Sequence, residues 1–158
     1  MRFTLIKNVK QDKIMKPLLN RLLIFILLYL LVDVFVKSHT MGITTGTIQT
    51  TLFGNADEFL DPMNKSVFLE FVHMQIFFLM MLVLTLSAVY IRLLHHKTNT
   101  ILSMNLFVFF ALLTPITLTA AYFYSAQFTT IYLVAFFAWH IIALWMTLRS
   151  LWELNLVT

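Results

Sequence analysis

The stretch EFVHMQIFFLMMLVLTLSAVYIR, Glu70 to Arg92, decides the fold of this chain. About 20 consecutive apolar residues cross a bilayer's hydrocarbon core as a helix, and the apolar run from Val67 to Leu94 exceeds that length. The stretch is therefore read as a membrane-spanning helix with an acid and a histidine in its first turns. Glu70 and His73 are three residues apart and so share one helix face. Ionisable side chains at such depth are costly and usually meet a partner or a cavity. At 100° per residue, Met80, Leu84, Ser87 and Ile91 follow them on that face. Because the face carries most of the helix's polar groups, it is expected to point into a bundle.

Composition extends this reading to the whole chain. Of 158 residues, 60% are hydrophobic and only 11% charged, and the mean hydropathy is +0.87. Soluble domains carry about 25% charged residues, so this is an integral membrane protein in contact with the lipid bilayer. Cysteine is absent, which excludes disulfides, thiolate metal sites, iron–sulfur clusters and covalent c-type haem. Any metal or haem would be held by His, Met or carboxylates. The net charge of +4 follows membrane topology and indicates no nucleic-acid partner.

Three further spans flank the first. Before it, residues 37–61 form the one long connection, with Gly42, Gly46, Gly54 and six threonines between Thr40 and Thr51. Thr, Ile and Gly at this density predict extended or turn structure. Asp61-Pro62 supplies an N-cap and a first-turn proline, giving a helix over 62–94. After it, helices are expected over 101–123, with Thr114-Pro115 near the middle, and over 128–148, which is rich in aromatics and carries His140. A proline removes one backbone bond and bends a membrane helix, and Thr114, Thr117 and Thr119 offer hydroxyls to the local backbone. A first helix spans 18–36, with Asp33 about one turn inside its end. Residues 1–17 are a basic segment, so 18–158 make up a single four-helix transmembrane domain.

Lysine and arginine counts set the orientation. With both termini cytoplasmic, nine lie inside, including Arg92, Lys97 and Arg149, and two, Lys37 and Lys65, lie outside. That bias follows the positive-inside rule and suits a bacterial inner membrane. Short connections after the second and third helices make neighbours antiparallel, so the fold class is an all-α, antiparallel four-helix membrane bundle, N-in and C-in, with one long outer loop. The adjacent His95 and His96 at the inner turn point in different directions on a helix and are read as solvated.

The polar residues admit three readings. In the first, His73 and His140 on different helices ligate haem b as two imidazoles. They lie about six and twelve residues inside the expected outer edge, an offset of about 9 Å at about 1.5 Å per residue. In the second, Glu70, His73, Asp33 and His39 form a metal or proton site near the outer face, with oxygen and nitrogen ligands for a single divalent or transition metal. Glu70-x-x-His73 resembles one half of the di-iron carboxylate motif, but it occurs once and the last helix, as drawn, adds no carboxylate. In the third, the chain is a structural or accessory subunit of a larger membrane complex, a respiratory one among the options. Its helix faces would pack on other subunits or on a second copy, and its polar groups would satisfy one another. An enzymatic role is the less favoured expectation, and no soluble-enzyme motif is present.

Overall fold

The computed structural model describes residues 12–94 and 99–156. The basic residues before Asp12 and the His95, His96 and Lys97 turn lie outside the described residues. Among the described residues five α-helices follow in order: α1 (Met15–Thr40), α2 (Thr45–Phe53), α3 (Lys65–Leu94), α4 (Thr100–Phe123) and α5 (Phe128–Asn155), with one 3-10 turn at Ala56–Glu58. Among them α1, α3, α4 and α5 are long and apolar enough to cross a membrane. The short α2 is not, and it lies at the end of the bundle where α1 stops and α3 begins. That end is called the loop end below.

Each boundary has a local cause. The Asp12 carboxylate accepts the Ile14 and Met15 N–H groups at 2.8 Å and opens α1. Gly42, with φ +85°, closes it as its N–H and that of Met41 both donate to the Lys37 carbonyl. A side chain at Gly42 would run into Thr47. The connection expected to be extended instead forms α2, because Thr44 and Thr47 cap its start reciprocally. This capping-box bonding outweighs the weak helix preference of Thr and Gly. α3 begins at Lys65 rather than at Pro62. Asn64 takes the capping role given to Asp61, its side chain accepting the Ser66 N–H at 3.0 Å. The last helix runs on to Asn155, past the expected end at Leu148.

Packing is densest between α4 and α5, which a four-residue turn makes antiparallel, and α3 lies against both. α1 packs on α5 and is tied to it twice. Asn155 donates to Asn20 at 2.9 Å near the end opposite the loops, and His140 meets Asp33 nearer the loop end. The contiguous core includes Leu23, Leu86, Phe107, Phe136 and Trp139. α2 buries Ile48 and Leu52 and reaches α5 through Gln49, whose amide donates to the Ala126 carbonyl and the Thr129 hydroxyl at 3.1 Å. Tyr122 completes the loop end by donating to the Met63 carbonyl at 3.0 Å and stacking on Phe68 at 4.0 Å between ring centroids. In α4, Thr114, Thr117 and Thr119 donate to the carbonyls of Phe110, Leu113 and Pro115. These bonds tie the hydroxyls to the helix's own backbone on either side of Pro115.

Candidate functional site

The charged centre of the bundle lies between α1 and α5. Asp33 and Lys37 are one turn apart on α1, and Lys37 Nζ sits 3.1 Å from Asp33 Oδ2. The same oxygen lies 3.0 Å from His140 Nε2 on α5. Lys37 and His140 are each only 7% exposed. The ammonium is 5.0 Å from the Phe136 ring centroid and 5.9 Å from that of Trp139, close enough for cation–π attraction on a desolvated cation. The imidazole is held between the same two rings, with centroids at 4.2 and 3.6 Å. Phe136, Trp139 and His140 are thus a preformed aromatic and imidazole wall on α5 into which α1 inserts its ion pair.

The proton count at this centre follows from donor–acceptor logic. His140 Nδ1 lies 2.8 Å from the Phe136 carbonyl, which can only accept, so Nδ1 carries a proton. Its Nε2 faces a carboxylate oxygen. Either the ring also donates there as imidazolium, or Asp33 is a carboxylic acid donating to Nε2.

A cavity of about 260 Å³ opens beside this centre between α1 and α3. Asp33, Lys37 and Tyr29 line it from α1, and Phe71, Gln75 and Phe78 from α3. Gln75 is 5% exposed, yet neither atom of its amide has a hydrogen-bond partner. A second, largely apolar groove of about 660 Å³ runs between α3 and α4 past Pro115.

The residues singled out in the sequence fall into two groups. Asp33 and His140 are brought together. Glu70 and His73 are not part of that centre: both are exposed. The buried stripe of α3 is Phe68, Val72, Gln75, Leu79, Leu82 and Leu86, on the opposite side of the helix. The inward orientation expected for their face is therefore reversed. α3 has large apolar side chains on every side and polar groups on both faces, Glu70 and His73 outward and Gln75 inward, so side-chain fit and not polarity selects its buried side. His39, also exposed, turns back on its own helix, its Nδ1 2.9 Å from the Phe35 carbonyl. No group of three or more His, Asp or Glu converges as a metal site among the described residues.

Two residues escaped the sequence reading. Lys37, counted as an exposed loop charge, is buried. The i, i+4 spacing of Asp33 and Lys37 at the end of an apolar run was the available signal. Gln75 carried no comparable signal, because one amide in an apolar helix has no spacing to recognise.

Four apolar helices of spanning length define a multi-pass integral membrane protein. Residues 42–156 match the model of the Aq_1264_TM family, described as a transmembrane helical domain, and the chain belongs to that family. The match covers α2 to α5, and so His140 and Gln75, while Asp33 and Lys37 on α1 precede it. Neither the curated proteins nor the solved structures contain a match.

Proposed function

We propose that the protein is an accessory subunit of a larger membrane complex, docking through the face of α3 that carries Glu70 and His73. One observation carries this reading. An acid and a histidine, one turn apart within a spanning helix, are exposed and have no hydrogen-bond or ion-pair partner among the described residues. Polar side chains facing hydrocarbon are expensive, and a donor or acceptor on a neighbouring helix removes that cost. Phe77, Met80 and Leu84, all exposed, continue the same face, and Met and aromatic side chains adapt well to a partner surface. The lysine and arginine bias supports an orientation with both termini cytoplasmic in a bacterial inner membrane.

The test is photo-crosslinking in native membranes from Phe77 and Met80, with Phe25 on the exposed side of α1 as control. The expected result is a discrete protein adduct from the α3 positions that disappears in the Glu70→Leu/His73→Leu double variant. The adduct's mass separates a second copy from a different subunit. Lipid adducts alone, equal from α1 and α3, overturn the reading.

A proton or metal role is the second reading, and the 3.0 Å contact between Asp33 and His140 across α1 and α5 is the observation favouring it. This moves the chemistry from Glu70, His73 and His39 to the α1–α5 pair. Haem b ligation by His73 and His140 would need His140 to exchange Asp33 for iron and α3 to turn its outward face inward.

A further inference from the structure

We propose that the cavity between α1 and α3 binds the head of an uncharged, lipid-soluble ring compound bearing carbonyl or hydroxyl oxygens, the quinone and quinol class. This site is separate from the docking face of α3 and does not depend on it. The first ground is the Gln75 amide. A buried amide with neither atom hydrogen-bonded is costly, and Gln75, which carries it here, is one of the residues lining the cavity. A carbonyl oxygen would accept from its Nε2, and a hydroxyl would donate to its Oε1. One side chain thus serves the oxidised or reduced form of such a ring without changing its own protonation.

The second ground is size and wall chemistry. A cavity of about 150 Å³ holds benzene, so about 260 Å³ accommodates a six-membered ring with several substituents. Tyr29, Phe71 and Phe78 supply aromatic walls, with Tyr29 and Phe78 6.2 Å apart between centroids. Lys37 also lines the cavity, and its ammonium has three N–H donors against one carboxylate contact at Asp33. Lys37 and Gln75 thus bring N–H donors to a polar wall that also holds the Asp33 carboxylate, matching carbonyl and hydroxyl oxygens on the ligand.

The third ground is depth, which selects against anionic lipid. Gln75 lies ten residues into α3, about 15 Å from its start at about 1.5 Å per residue. A phosphate or carboxylate drawn to that depth loses its hydration, whereas a neutral ring does not. Val36, Met74 and Phe78, which line the cavity, are exposed on the flank of two spanning helices, so a ligand with an apolar tail would enter sideways from the bilayer. Only binding is proposed, with no electron transfer.

The experiment titrates the purified full chain in lipid nanodiscs with a decyl-substituted benzoquinone, followed by calorimetry. Saturable binding of one molecule per chain is expected. Gln75→Leu, close in size, is expected to weaken affinity at least tenfold while leaving the unliganded Tm unchanged or raised. Val36→Phe, which adds a ring at the mouth without touching the core, is expected to weaken binding similarly and carries the test alone if Gln75→Leu does not fold. Absence of saturable binding to the unaltered chain overturns the proposal, as does unchanged affinity in the folded variants. Tighter binding by oleate than by the quinone also overturns it, assigning the site to a fatty acid. Loss of crosslinks from the docking face leaves each of these outcomes as it is, so the two proposals fail separately.

Discussion

At the scale of single residues, Lys37 and Asp33 are a pair whose members cannot be removed one at a time. Deleting either partner of a buried ion pair strands a charge and costs about 3–5 kcal/mol, while replacing both with apolar residues of similar size is often neutral. Lys37→Met and Asp33→Leu are each expected to lower the unfolding temperature in detergent markedly, and the double variant to recover most of the loss. The double-mutant cycle gives the coupling directly. Additive losses would show that His140 and the aromatic rings, not each other, hold the two groups. Asp12 offers a pH-dependent counterpart outside the membrane. Its carboxylate accepts two backbone N–H bonds, which hold its pKa below the ordinary value near 4. Its capping contribution is therefore complete above the ordinary carboxylate range and is lost as pH falls through the lowered value. Amide exchange in the first turn of α1 is expected to quicken only in acid, and not in Asp12→Asn, which keeps a neutral acceptor.

At the scale of elements, α2 is the part that sequence alone did not yield. Its threonines and glycines favour extended structure by composition, and its helicity rests on the Thr44–Thr47 cap and on docking to the α4–α5 turn, neither of which a local pattern displays. Gly42→Ala forces an alanine to a left-handed backbone angle against Thr47, a conformation costing about 1–3 kcal/mol. Gln49→Ala removes the link to Ala126 and Thr129. Both substitutions are expected to raise hydrogen–deuterium exchange in α2 well above that in α3 to α5. Unchanged protection would mean that burial of Ile48 and Leu52 alone fixes the element. The spanning helices were legible because length and hydropathy suffice to find them. The rotation of α3 was not, because large apolar residues lie on every side of it and its polar groups, Glu70 and His73 on one side and Gln75 on the other, point both ways. For the same reason the centre was half legible: Asp33 and His140 stood out as ionisable groups in apolar runs, but their meeting depends on how α1 sits against α5.

At the scale of the whole molecule, four spanning helices bring residues 12 and 156 to one end of the bundle, which the proposed orientation, drawn from the lysine and arginine bias, takes to be the cytoplasmic one. The absence of cysteine makes this directly measurable with single introduced thiols. Thr44→Cys and Ser125→Cys, both at the loop end, are expected to react with an impermeant maleimide added outside intact cells, and Asn99→Cys only after permeabilisation. The reverse pattern would invert the assignment while leaving the bundle intact. The pairing of α1 with α5 also bears on biogenesis. A ribosome delivers α1 first and α5 last, so Asp33 enters the bilayer well before His140 has been synthesised. During that interval Lys37, one turn away on the same helix, is the counter-charge at hand. The ion pair thus lets the leading segment leave the translocon electrically balanced and wait in lipid until the last segment arrives to claim it.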